Sequence, residues 1–202
     1  AGPEGPESGR LRRSSARVGI DLGQPWGGFF ALRFGPYAQR WDDKPLIVSS
    51  AFGGVDRATS RHEVGVRLRA VVDQLDYAFF AQDGYRLVGE LAGGRVRNGD
   101  GADDAEQDFS RLEASASAAT TWAHKHTLNL YASTLFAGRA TPLGRGLYTL
   151  GGFQNLSGYK PGQVEGNYLL FGRASYYYRL TPPALTRGFF AGVSLEAGSL
   201  IS

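Results

Sequence analysis

Cysteine and methionine are both absent from the 202 residues. Without cysteine there is no disulfide, no thiolate metal site and no thiol nucleophile, and an oxidising compartment is tolerated. Without methionine, even at position 1, the chain reads as a processed or excised piece. It also lacks any run of about 18 apolar residues, the length a membrane-spanning helix needs, and any charged-then-apolar N-terminal leader. These absences exclude a spanning helix but not a membrane, because a transmembrane strand needs only about 9–11 residues, half of them polar. A mean hydropathy of -0.26 fits such strands. Charge is sparse, at 20% of residues, and the net charge is +3 with the arginines spread along the chain, which argues against a nucleic-acid partner. The minimum parts of common enzymes are missing as well. There is no Gly-x-Ser-x-Gly elbow, no phosphate-cradling Gly-x-x-x-x-Gly-Lys loop and no His-Glu-x-x-His helix.

What is abundant is glycine, 29 residues, and aromatic side chains, 12%. That mixture suits strands and turns more than helices, and the length suits one all-β domain. Period-two alternation recurs along almost the whole chain. In 62–72, Val64, Val66, Leu68, Ala70 and Val72 share one face, and Glu63, Arg67 and Arg69 share the other. Seven similar segments follow the same rule, at 17–23, 28–41, 84–94, 108–122, 126–137, 166–180 and 188–200. Strands with one apolar and one charged face require two different surroundings.

The predicted links alternate in length. Those at 24–27, 73–83, 123–125 and 181–187 are short, whereas those at 42–61, 95–107 and 138–165 are long, and 1–16 reads as the tail of another exterior loop. Short turns on one side and long loops on the other are the habit of outer-membrane barrels. Trp26, Phe29, Trp41, Trp122 and Phe189 fall near strand ends, where an interfacial girdle would place them. Residues 17–202 are thus expected to form an outer-membrane barrel segment of about eight antiparallel strands, in contact with lipid and without a catalytic centre.

Candidate sites are few. His124 and His126 could share a metal only with a third ligand, and a tight turn offers none, so they read as polar turn residues and no metal or cofactor is expected. The acidic run Asp100, Asp103, Asp104, Glu106 and Asp108 lacks the spacing of a calcium loop and reads as a solvated exterior loop. A stronger set is the charges opposite the apolar face. Asp21, Arg33, Glu63, Arg67, Arg69, Arg86, Glu90, Arg173, Arg179 and Glu196 are expected to line a polar lumen, fix a plug and tune a pore. Finally, Gly151, Gly152, Phe153, Leu156, Ser157, Gly158, Tyr159 and Lys160 lie in the longest link, yet are neither charged nor of low complexity. Paired glycines allow a sharp turn, and a water-facing loop has no use for Phe153, Leu156 and Tyr159, so this segment is expected to fold back into the barrel.

The Gly151-Gly152 start, the apolar Leu156 before Ser157-Gly158-Tyr159, and the strand entry Gly166-Asn167 together resemble the inward loop of the bacterial surface antigen superfamily of outer-membrane barrels. Gly192-Val193-Ser194-Leu195-Glu196-Ala197-Gly198 resembles that family's later strand with an acidic lumen residue, and Asp76 through Gly84 and Tyr85 resembles a periplasmic turn. These matches span about 76–200. The family includes barrel-assembly insertases, two-partner secretion translocators and barrels fused to patatin-like phospholipases. The resemblance implies a barrel of about sixteen strands, of which this chain supplies roughly the sixth to the thirteenth.

One position departs from the pattern. The family loop carries an arginine that pairs with the later acidic residue, and here that position is Ser157, leaving Glu196 to Lys160, Arg173 or the Ser157 hydroxyl. Leu156-Ser157-Gly158 is most similar to the branch fused to patatin-like esterases. That branch implies an autotransporter whose barrel exports or tethers an upstream hydrolase domain in the bacterial outer membrane. The insertase and translocator readings stay open, as does a self-closing eight-stranded barrel that binds an apolar ligand.

Overall fold

The computed structural model describes residues 9–48, 59–76, 80–98, 106–138, 148–160, 164–181 and 189–201. Eleven strands occur among them. They are β1 (Gly9–Gly19), β2 (Leu22–Trp26), β3 (Phe30–Val48), β4 (Thr59–Asp73), β5 (Gly84–Asn98), β6 (Glu106–Trp122), β7 (His126–Gly138), β8 (Tyr148–Leu150), β9 (Val164–Gly166), β10 (Tyr168–Arg179) and β11 (Phe190–Ile201). The chain is all-β and antiparallel. Nine strands form one sheet in the order β1-β3-β4-β5-β6-β7-β10-β11, with β2 also paired to β3, and β8 and β9 form a separate pair. β1 and β2 lie along the same edge of β3 and amount to one strand interrupted at Ile20 and Asp21. Each of the eight alternating segments of the sequence falls on this sheet, 17–23 on the interrupted β1–β2 strand and each of the others on one member.

The sheet does not close on itself, since β1 and β11 stand at opposite ends of the strand order. Eight strands sealing a small barrel is therefore not the arrangement found. Strand ends also differ from the sequence reading. β1 begins at Gly9, inside the segment expected to be an exterior loop tail, and β3 runs on to Val48. In both places the extension lacks apolar alternation, because strand pairing continues past the point where the faces differ in chemistry. The acidic run lies outside the described residues except for Glu106 and Asp108 in β6.

Exposure is inverted relative to a water-soluble sheet. Val18 is 72% exposed, Val64 63% and Leu195 78%, while Glu63 on the opposite face is 0% and Arg111 7%. The same parity leaves Ile20, Leu22, Phe34, Leu87, Leu91, Leu130 and Leu170 exposed. The sheet curls toward its polar face. Tyr37 of β3 and Arg111 of β6 are three strand spacings apart, about 14 Å along a flat sheet, yet their side chains hydrogen bond.

Aromatic residues mark two levels on the apolar face. At the tight-turn end Trp26 stacks on Phe30, and Trp122 stacks on His126 beside Tyr176 and Tyr178. At the other end Phe136 meets Tyr168 edge-on. His126 and Phe136 are ten residues apart on β7, about 33 Å along the strand and about 25 Å in height at a tilt of about 40°. Phe29 and Phe189 are exposed at the tight-turn end as expected, but Trp41 is not part of either level. It lies on the polar face opposite Arg61, whose guanidinium sits 5.3 Å from its ring centroid.

The β6–β7 link is three residues long and holds a β-turn closed by Lys125 N–H donating to Trp122 O, with both central residues, Ala123 (φ 51) and His124 (φ 55), left-handed. This backbone suits Asn-Gly far better than Ala-His. Replacing Ala123→Asn with His124→Gly is expected to stabilise the fold by about 1–3 kcal/mol, measured as a rise in the urea midpoint of unfolding.

Candidate functional site

The polar face is organised around one rung of the sheet. Tyr37, Gly65, Gly94 and Phe109 face one another across β3, β4, β5 and β6. A Cβ on Gly65 or Gly94 would run into the backbone of the neighbouring strand. Beside these two glycines the Tyr37 ring is buried in a cluster with Ala92, Val96 and Phe109.

Charges then gather around that ring. The Tyr37 hydroxyl donates to Glu63 Oε1 at 2.5 Å, Arg111 Nη1 donates to the same oxygen at 3.1 Å, and Arg61 Nη2 stands 3.6 Å from Glu63 Oε2. Arg111 Nε reaches Glu113 Oε1 at 2.9 Å. The guanidiniums of Arg17 and Arg67 lie 5.4 Å and 5.7 Å from the Tyr37 centroid. Arg67 also donates to both oxygens of Asp21, at 3.0 Å and 2.6 Å. Glu90 sits between Arg17 at 3.8 Å and Arg69 at 4.0 Å, and Arg86 pairs with Asp73 at 3.4 Å. The expected residues Glu63, Arg67, Arg69, Arg86 and Glu90 thus share one face, but its centre, Tyr37 with Arg61 and Arg111, was not among those singled out. Strand parity from Arg33 to Tyr37 was the available signal. Glu63 is fully buried, so removing one partner leaves charge stranded.

The 151–160 segment lies against the same face, over β7, β10 and β11. Leu150 packs on Leu169 and Phe171, with Leu156, Leu135 and Leu200 around them. Gly151 N–H donates to Asn155 O at 2.7 Å and Gly152 N–H to Tyr159 O at 2.9 Å. Gln154 and Leu156 both take left-handed backbone, φ 60 and 73, a strain of about 1–3 kcal/mol each that surrounding contacts must offset. One such contact is Ser157 N–H donating to Glu196 Oε2 at 2.7 Å. The Glu196 partner is therefore a backbone amide, whereas the Ser157 hydroxyl accepts from Gln154 N–H. Arg173, opposite Glu196 in register, turns instead to Gln154, donating to its carbonyl at 2.8 Å. Phe153 is 89% exposed, Tyr159 half-exposed, and Gly158 and Lys160 are exposed at the loop's end. Between loop and wall lies a cavity of about 400 Å³ lined by Arg17, Arg69, Glu90, Glu113, Tyr131 and Asn155, among others. Among the described residues no group of three His, Asp or Glu is placed to hold a metal.

Two substitutions probe the two parts. Arg111→Met is expected to cost about 3–5 kcal/mol by stranding Glu63, and Arg111→Met with Glu63→Gln to cost less than Arg111→Met alone, both read by denaturant titration. Glu196→Ala removes a charge-assisted bond of about 1.5–3 kcal/mol, so amide exchange at Ser157 is expected to accelerate at least tenfold, with exchange in β5 unchanged.

Compared with models of protein families the chain matches none, and no curated protein matches it.

Proposed function

We propose that this chain is part of the wall of a bacterial outer-membrane β-barrel, serving as anchor and translocation pore for a polypeptide it exports or tethers, and not as an enzyme. The observation that carries this reading is the inverted exposure, Val64 and Leu195 outside and Glu63 and Arg111 within. Each large apolar side chain left in water forgoes about 1.5–3 kcal/mol of burial, and hydrocarbon removes that loss. Two aromatic levels about 25 Å apart suit the apolar band of such barrels. The open edges of β1 and β11 support completion by further strands, because hydrocarbon offers no partner to unpaired backbone. The sixteen-stranded surface antigen barrel is the form we favour, and within it the branch fused to patatin-like esterases, on the strength of Leu156-Ser157-Gly158. The loop seated on Glu196 supports the role of plug.

The test uses the full-length protein. It is expected to stay with the membrane after carbonate washing, to run faster on a gel unheated than boiled, and to conduct ions in a planar bilayer. Glu196→Gln and deletion of 152–160 are each expected to raise that conductance. Release by carbonate with no heat-dependent band removes the membrane assignment, while membrane retention with unchanged conductance in both variants removes only the plug. A Gly-x-Ser-x-Gly domain encoded upstream selects the esterase-fused branch, and polypeptide-transport repeats there select an insertase or translocator.

A further inference from the structure

The β4–β5 link, 74–83, sits at the tight-turn end, where the β2–β3 and β6–β7 links are three residues long. It is longer than they are, and its described residues, 74–76 and 80–83, are tied to one another and to the sheet. Gln74 N–H donates to Tyr85 O and Asp76 N–H to Asp83 O, while Asp76 Oδ1 accepts from the amides of Gln82 at 2.9 Å and Asp83 at 3.2 Å. Gly84, at φ +99 and where a Cβ would strike the Gln74 carbonyl, supplies the bend.

That bend carries Phe80 across the polar face. Its ring centroid lies 5.0 Å from Tyr177 of β10 and 4.5 Å from Phe190 of β11. From β5 to β11 is four strand spacings, about 19 Å along the arc. The seat is prepared for it, because Gly192 opposite Tyr177 has no side chain and the Tyr177 ring lies over it. Gln82 is held on both sides: its carbonyl accepts from Thr121 Oγ1 at 2.8 Å, and its side-chain oxygen accepts from Arg179 Nη2 at 3.4 Å. Thr121 and Thr127 hydroxyls meet at 2.9 Å, and Thr127, on the polar face, is only 1% exposed. A turn that merely faced water would need none of these contacts.

We propose that Phe80 and Gln82, latched by Arg179, form a second closure of the polar channel at the end opposite the 151–160 loop. The proposal rests on the barrel reading above. Its signature is electrical, because two constrictions in series add their resistances and removing either leaves the other in control. In planar bilayers holding the full-length protein, deletion of 152–160 and the pair Phe80→Ala with Gln82→Ala are each expected to raise conductance about twofold, and all three changes together about tenfold, more than the product. A combined form that conducts no better than the loop deletion alone overturns the second closure.

Because Phe80→Ala with Gln82→Ala could perturb folding, a second arm keeps both contacts reversible. Phe80→Cys and Phe190→Cys, in a segment that has no other cysteine, are joined in the loop-deleted background by a short bis-thiosulfonate linker, which forms a disulfide to each thiol and releases sulfinate. Conductance is expected to fall on linking and return on reduction, and no change on linking overturns the proposal. Current in the loop-deleted form that ignores both manipulations removes the second closure alone. Absence of current and of membrane insertion in every form, wild type included, removes the barrel reading and the closure with it.

Discussion

A β-strand turns successive side chains to opposite sides, so the medium on each side of a sheet must suit one parity of the sequence. In this chain the even positions of β4, Val64, Val66 and Leu68, are exposed, and the odd positions, Glu63, Arg67 and Arg69, turn into the curl. Neighbouring strands keep the same relation in register, Leu68 beside Phe34 and Leu91, Arg69 beside Arg33 and Glu90. A slip of one residue in any strand would put charge outside and leucine among arginines. The inverted pattern therefore does for this sheet what a hydrophobic core does for a soluble one. It fixes register without supplying a core.

A curl with charge inside faces a cost that a soluble sheet avoids. Desolvating one carboxylate is worth several kcal/mol, and only close partners offset it. Glu63 answers this with Tyr37, Arg111 and Arg61 around two oxygens. The rung beside it needs Gly65 and Gly94, since a Cβ at either would strike the backbone of the facing strand and push β4 and β5 apart. Small residues at the centre of the polar face, which add nothing to strand propensity, thus keep β4 and β5 in close register beneath the point where side chains from β3, β4 and β6 converge.

Much of this was legible in the residues because alternation is a local signal. Eight segments and their faces could be read from spacing alone, whereas the fold-back of 151–160 was expected from its glycine pair and apolar residues. The starts of β1 and the end of β3 could not, since Arg12-Arg13-Ser14-Ser15 and Asp42-Asp43-Lys44 carry no alternation and are strand only because β1 and β3 pair. Trp41 looked like an interfacial aromatic from its neighbours, and its parity, shared with Tyr37, placed it under Arg61 instead. The loop is held by residues other than those that suggested its fold. Phe153 suggested an inward fold and is exposed, while the anchoring falls to Leu156 and to an amide that no side-chain pattern reveals.

Both segments that cover the polar face use the same hairpin. The 151–160 loop rests on Phe171, Arg173 and Glu196, and Phe80 with Gln82 rests on Tyr177, Arg179 and Phe190. Each contact set joins β10 to β11, one at the middle and the other at the tight-turn end of one twelve-residue pairing. β11 is also the last strand in the sheet order, with one edge unpaired. On the barrel reading, a strand added there would stiffen the hairpin along its length, and because packed elements shift as units, it would act on both coverings at once.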